Sequence, residues 1–512
     1  MQSKDDDVEY GKERVNESLW SQFVQTHASL LELILVSFLM LGLVIYALTG
    51  TGVLYLTSLL PKSSELRKYD CSILTNLAYS GWNLGPKLDK YGLLNMRDLR
   101  HGQMRVLRPR STIGGCAHGG DYSFLVRRGN LDNVVIEFQG GGACWSYKTC
   151  TDPDNLEYTD LSILDMKVPY VGFSALDCAV WNLYHSYYID GLFDPSTSNN
   201  PVSDWSYVLV TYCTKDIHIG NSTRTYYPED DTSANKSSIT FRHQGQHNVD
   251  VVLKWVKQQF SNPDKILITG CSAGGLAAGI HGTALSQYYA HNSPKTNVTI
   301  LADGFMMLST DSFVREGILS WGLGASCTLW ELAKKGGALA EDATTGIQDY
   351  GLNVWQGITR YVADYGGATI LMSSLFDKVQ RHFLRMMHPE EGGIGLNLNQ
   401  VGLRILNRVD VADSAFIFSG EKHCETALSI VLDESELTSQ EYSSIKAYLA
   451  MLFADETLPP PYISEDCTDI YGCDGVLGSR ILEDQCGQCL ITSDVDACMR
   501  LDPEWMKRCP RE

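Results

Sequence analysis

The chain has 512 residues, with an apolar share of 44% and a charged share of 20%, as in an ordinary globular protein. That length holds one enzyme core of up to roughly 400 residues plus appendages. A net charge of −20 argues against nucleic acid as a partner, because a polyanion would meet an unfavourable field.

Residues 33–61 contain no charged side chain, a longer run than the roughly 20 residues a helix needs to cross a bilayer. The cleavable leader of a secreted protein would have a shorter apolar core, nearer the N-terminus. The sequence therefore predicts a cytoplasmic tail at 1–28 and a single transmembrane signal-anchor helix at 29–60. Lys4, Lys12 and Arg14 before the run balance Lys62, Arg67 and Lys68 after it, so flanking charge leaves the orientation open.

The 15 cysteines settle the orientation. They do not form paired C-x₂-C zinc units, since only Cys486 and Cys489 have that spacing, and a disulfide framework in an oxidising compartment explains them better. Three glycosylation sequons, at Asn221, Asn235 and Asn297, also follow the apolar run. The expected arrangement is a single-pass membrane protein whose catalytic domain is lumenal or extracellular.

Beyond the anchor, apolar runs rich in β-branched residues lie at 134–138, 207–211, 266–269, 298–301, 369–372 and 415–418. Several are apolar on both faces, as in a covered parallel sheet. Helical patterns lie between them, notably at 247–260 and 273–290. Strand alternating with helix predicts an α/β fold over 61–457, with a doubly wound, mostly parallel sheet of the α/β-hydrolase kind.

Within that pattern KILIT leads into Gly270-Cys271-Ser272-Ala273-Gly274, and a helical stretch follows. G-x-S-x-G between a strand and a helix is the mark of a nucleophile elbow. The glycines at −2 and +2 let strand and helix pass closely, while the strained turn presents the serine hydroxyl. A serine needs a base, and the base needs an acid to orient it. Reading onward, the 369–372 run is followed by Asp377 and the 415–418 run by His423. Asp303, directly after the 298–301 run, is the alternative acid; Asp377 is preferred because the acid usually follows the second strand after the nucleophile. The glycines of VVIEFQGGGACW supply an oxyanion loop, with Gly141, Gly142 and Ala273 as the predicted N–H donors. This chemistry calls for no metal and no organic cofactor.

These segments resemble the pectin acetylesterase/Notum family of carboxylesterases over roughly 65–455. The resemblance rests on FQGGGACWSYKTC, on GLFDPSTSNNPVSDWSYVLVTYCTKDIHIGN, and on GCSAGGLA, ADGF, SLFD and KHC. It implies a Ser-Asp-His triad at Ser272, Asp377 and His423. The family includes enzymes that deacetylate pectin and enzymes that remove palmitoleate from a signalling protein. Gly-Gly-Gly-Ala-Cys-Trp, and Cys271 before the serine, lean toward the acetylesterases. The implied substrate is an acylated, pectin-like polysaccharide, with a lipidated protein as the alternative. A catalytically inactive, membrane-tethered binding protein is a further alternative, against which the intact triad candidates argue.

Leu458-Pro-Pro-Pro-Tyr462 reads as a stiff linker opening a cysteine-rich extension at 458–512. GCDGVLGSRILEDQCGQC is similar to small repeats of extracellular matrix-associated proteins, so the extension is an adhesion or spacer module, or simply a disulfide-stapled tail. Six cysteines in the tail can pair among themselves. The other nine cannot all do so, and the expected free thiol is Cys271, because the tight elbow is expected to leave its side chain no room for a bridge.

Overall fold

The computed structural model describes residues 93–109, 114–151, 200–228, 238–309, 313–337, 350–387, 411–418, 421–424 and 458–463, with isolated positions elsewhere. The chain divides into two compact units, Met1–Asp70 and Cys71–Glu512, and every described residue lies in the second. The expected cytoplasmic tail and signal anchor lie outside the described residues, as does nearly all of the cysteine-rich extension. Among the described residues no helix is long and apolar enough to cross a membrane.

The core is a nine-stranded sheet in the order β1-β2-β4-β3-β7-β8-β9-β10-β11. Its strands are β1 (Met104–Leu107), β2 (Phe124–Arg127), β3 (Asn130–Phe138), β4 (Trp205–Val210), β7 (Lys265–Cys271), β8 (Asn297–Asp303), β9 (Ala368–Ser374), β10 (Ser414–Phe418) and β11 (Tyr462–Ile463). β1, β2 and β4 pair antiparallel, and every pairing from β4 through β3 to β11 is parallel. A separate antiparallel hairpin joins β5 (Ser222–Tyr226) to β6 (Ile239–His243).

All six apolar runs singled out in the sequence fall on strands of the large sheet. Their continuous hydrophobicity has the expected cause: Val134 to Phe138, and all of β4 and β10, are buried. Glu137 is the exception within β3. Its buried carboxyl accepts the Tyr207 hydroxyl, and burial raises its pKa to about 8.

The described helices are α1 (Tyr147–Thr151), α2 (Gly245–Gln259), α3 (Ala273–Asn292), α4 (Leu323–Gly336), α5 (Tyr350–Asp364) and α6 (Lys378–Met386), apart from a single turn at Ile318–Ser320. α2 and α3 match the predicted helices to within two residues at each end. α3 is apolar nearly all round, and 13 of its residues are buried, as in a helix enclosed by the core. Gly279 lies against the Trp355 ring of α5, and Gly282 against Ile300 of β8, so the small residues of α3 let both neighbours approach. The result is a mixed α/β fold, α/β-hydrolase-like, whose parallel strands all end at one edge of the sheet.

Candidate active site

Ser272 stands between the last residue of β7 and the first of α3, with φ 55° and ψ −128°. That left-handed backbone is costly for any residue with a side chain. The surroundings enforce it: a Cβ on Gly270 would collide with the Gly274 carbonyl, and one on Gly274 with the Phe138 carbonyl. The elbow also donates the Ser272 N–H to Asp303 O at 2.8 Å. The glycines at −2 and +2 thus do what the sequence assigned to them.

His423 and Asp377 meet. The His423 ring donates from Nδ1 to Asp377 Oδ2 at 2.6 Å, between the loops that follow β10 and β9. Asp377 is fully buried and its carboxylate is well satisfied. Oδ1 accepts the N–H groups of Val379 (2.9 Å) and Gln380 (3.1 Å) at the start of α6, and Oδ2 also accepts Gln380 Nε2 at 3.0 Å. Gln380 Oε1 in turn accepts Met306 N–H at 2.7 Å, tying the acid to the loop after β8. Asp303, the alternative acid, ends β8 with its carbonyl engaged by the elbow, and the imidazole pairs with Asp377.

Gly304 lies against His423, and a Cβ there would stand 3.2 Å from ring atoms Cε1 and Nδ1. His423 Nε2 is buried and has no hydrogen-bond partner among the described residues, and the residue lines the same pocket as Ser272. Serine and imidazole therefore share one cavity wall without a hydrogen bond between them. Such bonds are often long in a resting site and tighten when substrate binds.

Gly141 (φ 136°) and Gly142 (φ 66°) take conformations suited to glycine. Gly142 and Ala273 line the pocket beside Ser272, and Gly141 stands one residue back in the same turn. Supports that the sequence reading missed hold this loop. Tyr212 OH donates to Gly142 O at 3.0 Å and accepts Ile217 N–H at 2.7 Å, while His218 Nε2 donates to Gln139 O at 2.8 Å. His281 Nε2 donates to His218 O at 2.9 Å from within α3. Burial lowers the pKa of His218 to about 3 and of His281 to about 4, so both are neutral donors. The position of Tyr212, just past the carboxyl end of β4, was the available signal, since sites in such sheets gather at strand ends.

One expectation is overturned. Cys271 is not free: it is bonded to Cys424, with Cα atoms 5.3 Å apart. The tight turn begins at Ser272, whereas Cys271 still belongs to β7, and the loop after β10 comes back to meet it. Two further disulfides join Cys116 to Cys213 and Cys144 to Cys150, and Cys327 is the free cysteine among the described residues. Of the sequons, Asn221 and Asn297 are exposed, and Asn235 lies outside the described residues.

The pocket at Ser272 encloses about 470 Å³, counting solvent at its mouth. Trp145, Phe305, Met307, Leu308, Phe313 and Phe383 are among its walls, so it is mostly apolar.

No curated protein matches the chain. A solved structure of the Wnt deacylase Notum from Drosophila is similar to it at 14% identity, covering 72% of this chain and 99% of that one, with a TM-score of 0.46. The family model described as pectinacetylesterase matches residues 103–321, which run from β1 through the Gly140–Gly142 loop and the elbow to the turn before α4. By that match residues 103–321 are a pectinacetylesterase domain, and the chain is a carboxylic ester hydrolase.

Proposed function

We propose that the chain is a serine carboxylesterase working through Ser272, His423 and Asp377. Ser272 Oγ attacks the ester carbonyl as His423 Nε2 takes its proton. Asp377 holds the ring through Nδ1 and stabilises the imidazolium. The N–H groups of Ala273 and Gly142, with Gly141 behind, receive the developing oxyanion. The imidazolium then protonates the departing alcohol, leaving an acyl-serine. Water, deprotonated by the same ring, releases the acid and restores the hydroxyl. The observation that carries this reading is the 2.6 Å His423–Asp377 contact at the wall of the pocket that holds a strained Ser272.

The apolar chamber favours an acyl group longer than the acetyl implied by the oxyanion-loop sequence. Each methylene buried there contributes about 0.8 kcal/mol, which an acetyl group leaves unused. The reading is therefore an esterase whose substrate carries a hydrocarbon acyl chain, such as a lipidated protein, with deacetylation of a polysaccharide as the second reading. Three disulfides support a lumenal or extracellular catalytic domain, behind the proposed anchor at 29–60.

A series of p-nitrophenyl esters from C2 upward tests the acyl assignment. kcat/KM should rise with chain length to C6 or beyond; a maximum at C2 would return the assignment to acetyl. Ser272→Ala should lower kcat on every ester by on the order of 10⁴ or more while leaving the fold intact.

A further inference from the structure

The Cys271–Cys424 disulfide joins the residue before the nucleophile to the residue after the base. Resting on the serine-esterase reading, we propose that this bond is a positioning device: it holds the His423 loop over the sheet so that the imidazole faces Ser272. Hydrolysis would then depend on the bond staying oxidised.

The sheet sets the problem. β7, which ends in the elbow, and β10, which leads to His423, are not neighbours, since β8 and β9 lie between them. Adjacent strands stand about 4.8 Å apart, so the His423 loop must reach back across roughly 14 Å to meet Ser272. Polar contacts secure its outer part. Lys378 N–H donates to Glu421 O at 3.1 Å, and Arg381 pairs with Glu421 at 2.6 Å. Both attach the loop to α6, on the side of β9 and β10.

At its inner end the loop has the Asp377 hydrogen bond, the packing of Gly304 and the disulfide. Cys424 lies in left-handed backbone at φ 68°, unfavourable for a residue with a Cβ, and is buried. A His423 ring nitrogen and both sulfurs lie within 4.8 Å of one another, so the bond sits against the ring it would position. The disulfide spans 153 residues of sequence and ends next to the two groups that must exchange a proton. Misplacing such a pair by about 1 Å can cost on the order of 100-fold in rate.

The experiment uses the purified full-length chain carrying Cys327→Ser, which removes the exposed free thiol and suppresses disulfide exchange. Dithiothreitol is titrated under native conditions. It delivers two electrons and two protons to the bond, leaving thiols at Cys271 and Cys424, and closes to its own cyclic disulfide. Mass mapping follows the three disulfides seen among the described residues, and the remaining cysteines, while ester hydrolysis and circular dichroism are recorded. The expected result is a fall in kcat of about 10- to 100-fold that tracks reduction of Cys271–Cys424. KM should stay within about twofold, the circular dichroism should not change, and activity should return on reoxidation.

Cys271→Ala/Cys424→Ala should show the same low kcat and no response to dithiothreitol. Wild-type kcat in this variant, or in the reduced protein, overturns the proposal, as does a loss that follows Cys144–Cys150 instead. Should the double variant fail to fold, the reduction series on the intact chain decides alone. Ser272→Ala is assayed alongside. If it keeps full activity, the esterase reading itself fails; if it is inactive while the reduced enzyme works normally, only the positioning role fails.

Discussion

Tyr212 places one hydroxyl between two main-chain groups, giving its proton to Gly142 O and accepting from Ile217 N–H. Tyr212→Phe leaves both without a partner in a buried place and should cost about 1–3 kcal/mol of stability. Because it loosens the oxyanion loop, it should also lower kcat by on the order of 10-fold with little change in KM. Thermal unfolding and steady-state ester hydrolysis measure the two effects. At this scale the sequence was legible where a candidate residue follows an apolar run within a few positions: Ser272, Asp377 and His423 were singled out that way, and the structure brings His423 and Asp377 into contact. Tyr212, His218 and Gln380 were not, because they act through partners brought close only by the fold. The Gly142 carbonyl is 70 residues from Tyr212, and Met306 is 74 from Gln380. The disulfide had a readable sign that went unused, since Cys271 precedes Ser272 as directly as Cys424 follows His423.

The elbow is the element on which the site is built, and its tolerance for bulk is small. In the register of the sheet Phe138 stands opposite Gly270, so β3, β7 and the start of α3 converge on a few atoms. Gly274→Ala puts a methyl group into the Phe138 carbonyl, and neither strand can retreat without breaking its ladder. The expected cost is about 3 kcal/mol or more, seen as a lower midpoint in chemical denaturation. Among the elements, most strands buried on both faces announced themselves, but β2, buried throughout, did not. β1 and β2 are four residues each, too short to stand out from their surroundings. β5 reads Ser-Thr-Arg-Thr-Tyr and buries none of its side chains fully, so it has no hydrophobic period to detect.

Among the described residues of the molecule, three buried histidines and two buried acids shape the dependence of stability on pH near neutrality. Burial lowers the pKa of His218 to about 3 and of His243 and His281 to about 4. Below pH 6.5 the unfolded chain binds protons that these folded imidazoles refuse, so their contribution is lost as pH falls. Burial raises Asp216 to about 6 and Glu137 to about 8, so the folded state keeps protons that the unfolded state releases. Their contribution is lost as pH rises through those values. From pH 4.5 to 6 the three histidines outweigh the two acids, and above 6.5 only Glu137 of the five still counts. Stability should therefore peak near pH 6.5 and decline by about 1.4 kcal/mol per pH unit toward pH 8. Denaturation midpoints across that range check the peak, and Glu137→Gln should abolish the decline.

The proposed triad also belongs to the whole molecule, because three distant parts of the chain supply its members, with Ser272 and His423 at one pocket and Asp377 buried behind the ring. The most direct measurement is labelling with a fluorophosphonate probe followed by peptide mapping. The account predicts one phosphonylated residue, Ser272, and labelling slowed by at least about 100-fold in His423→Ala. A label on another serine, or equal labelling of the variant, would contradict it.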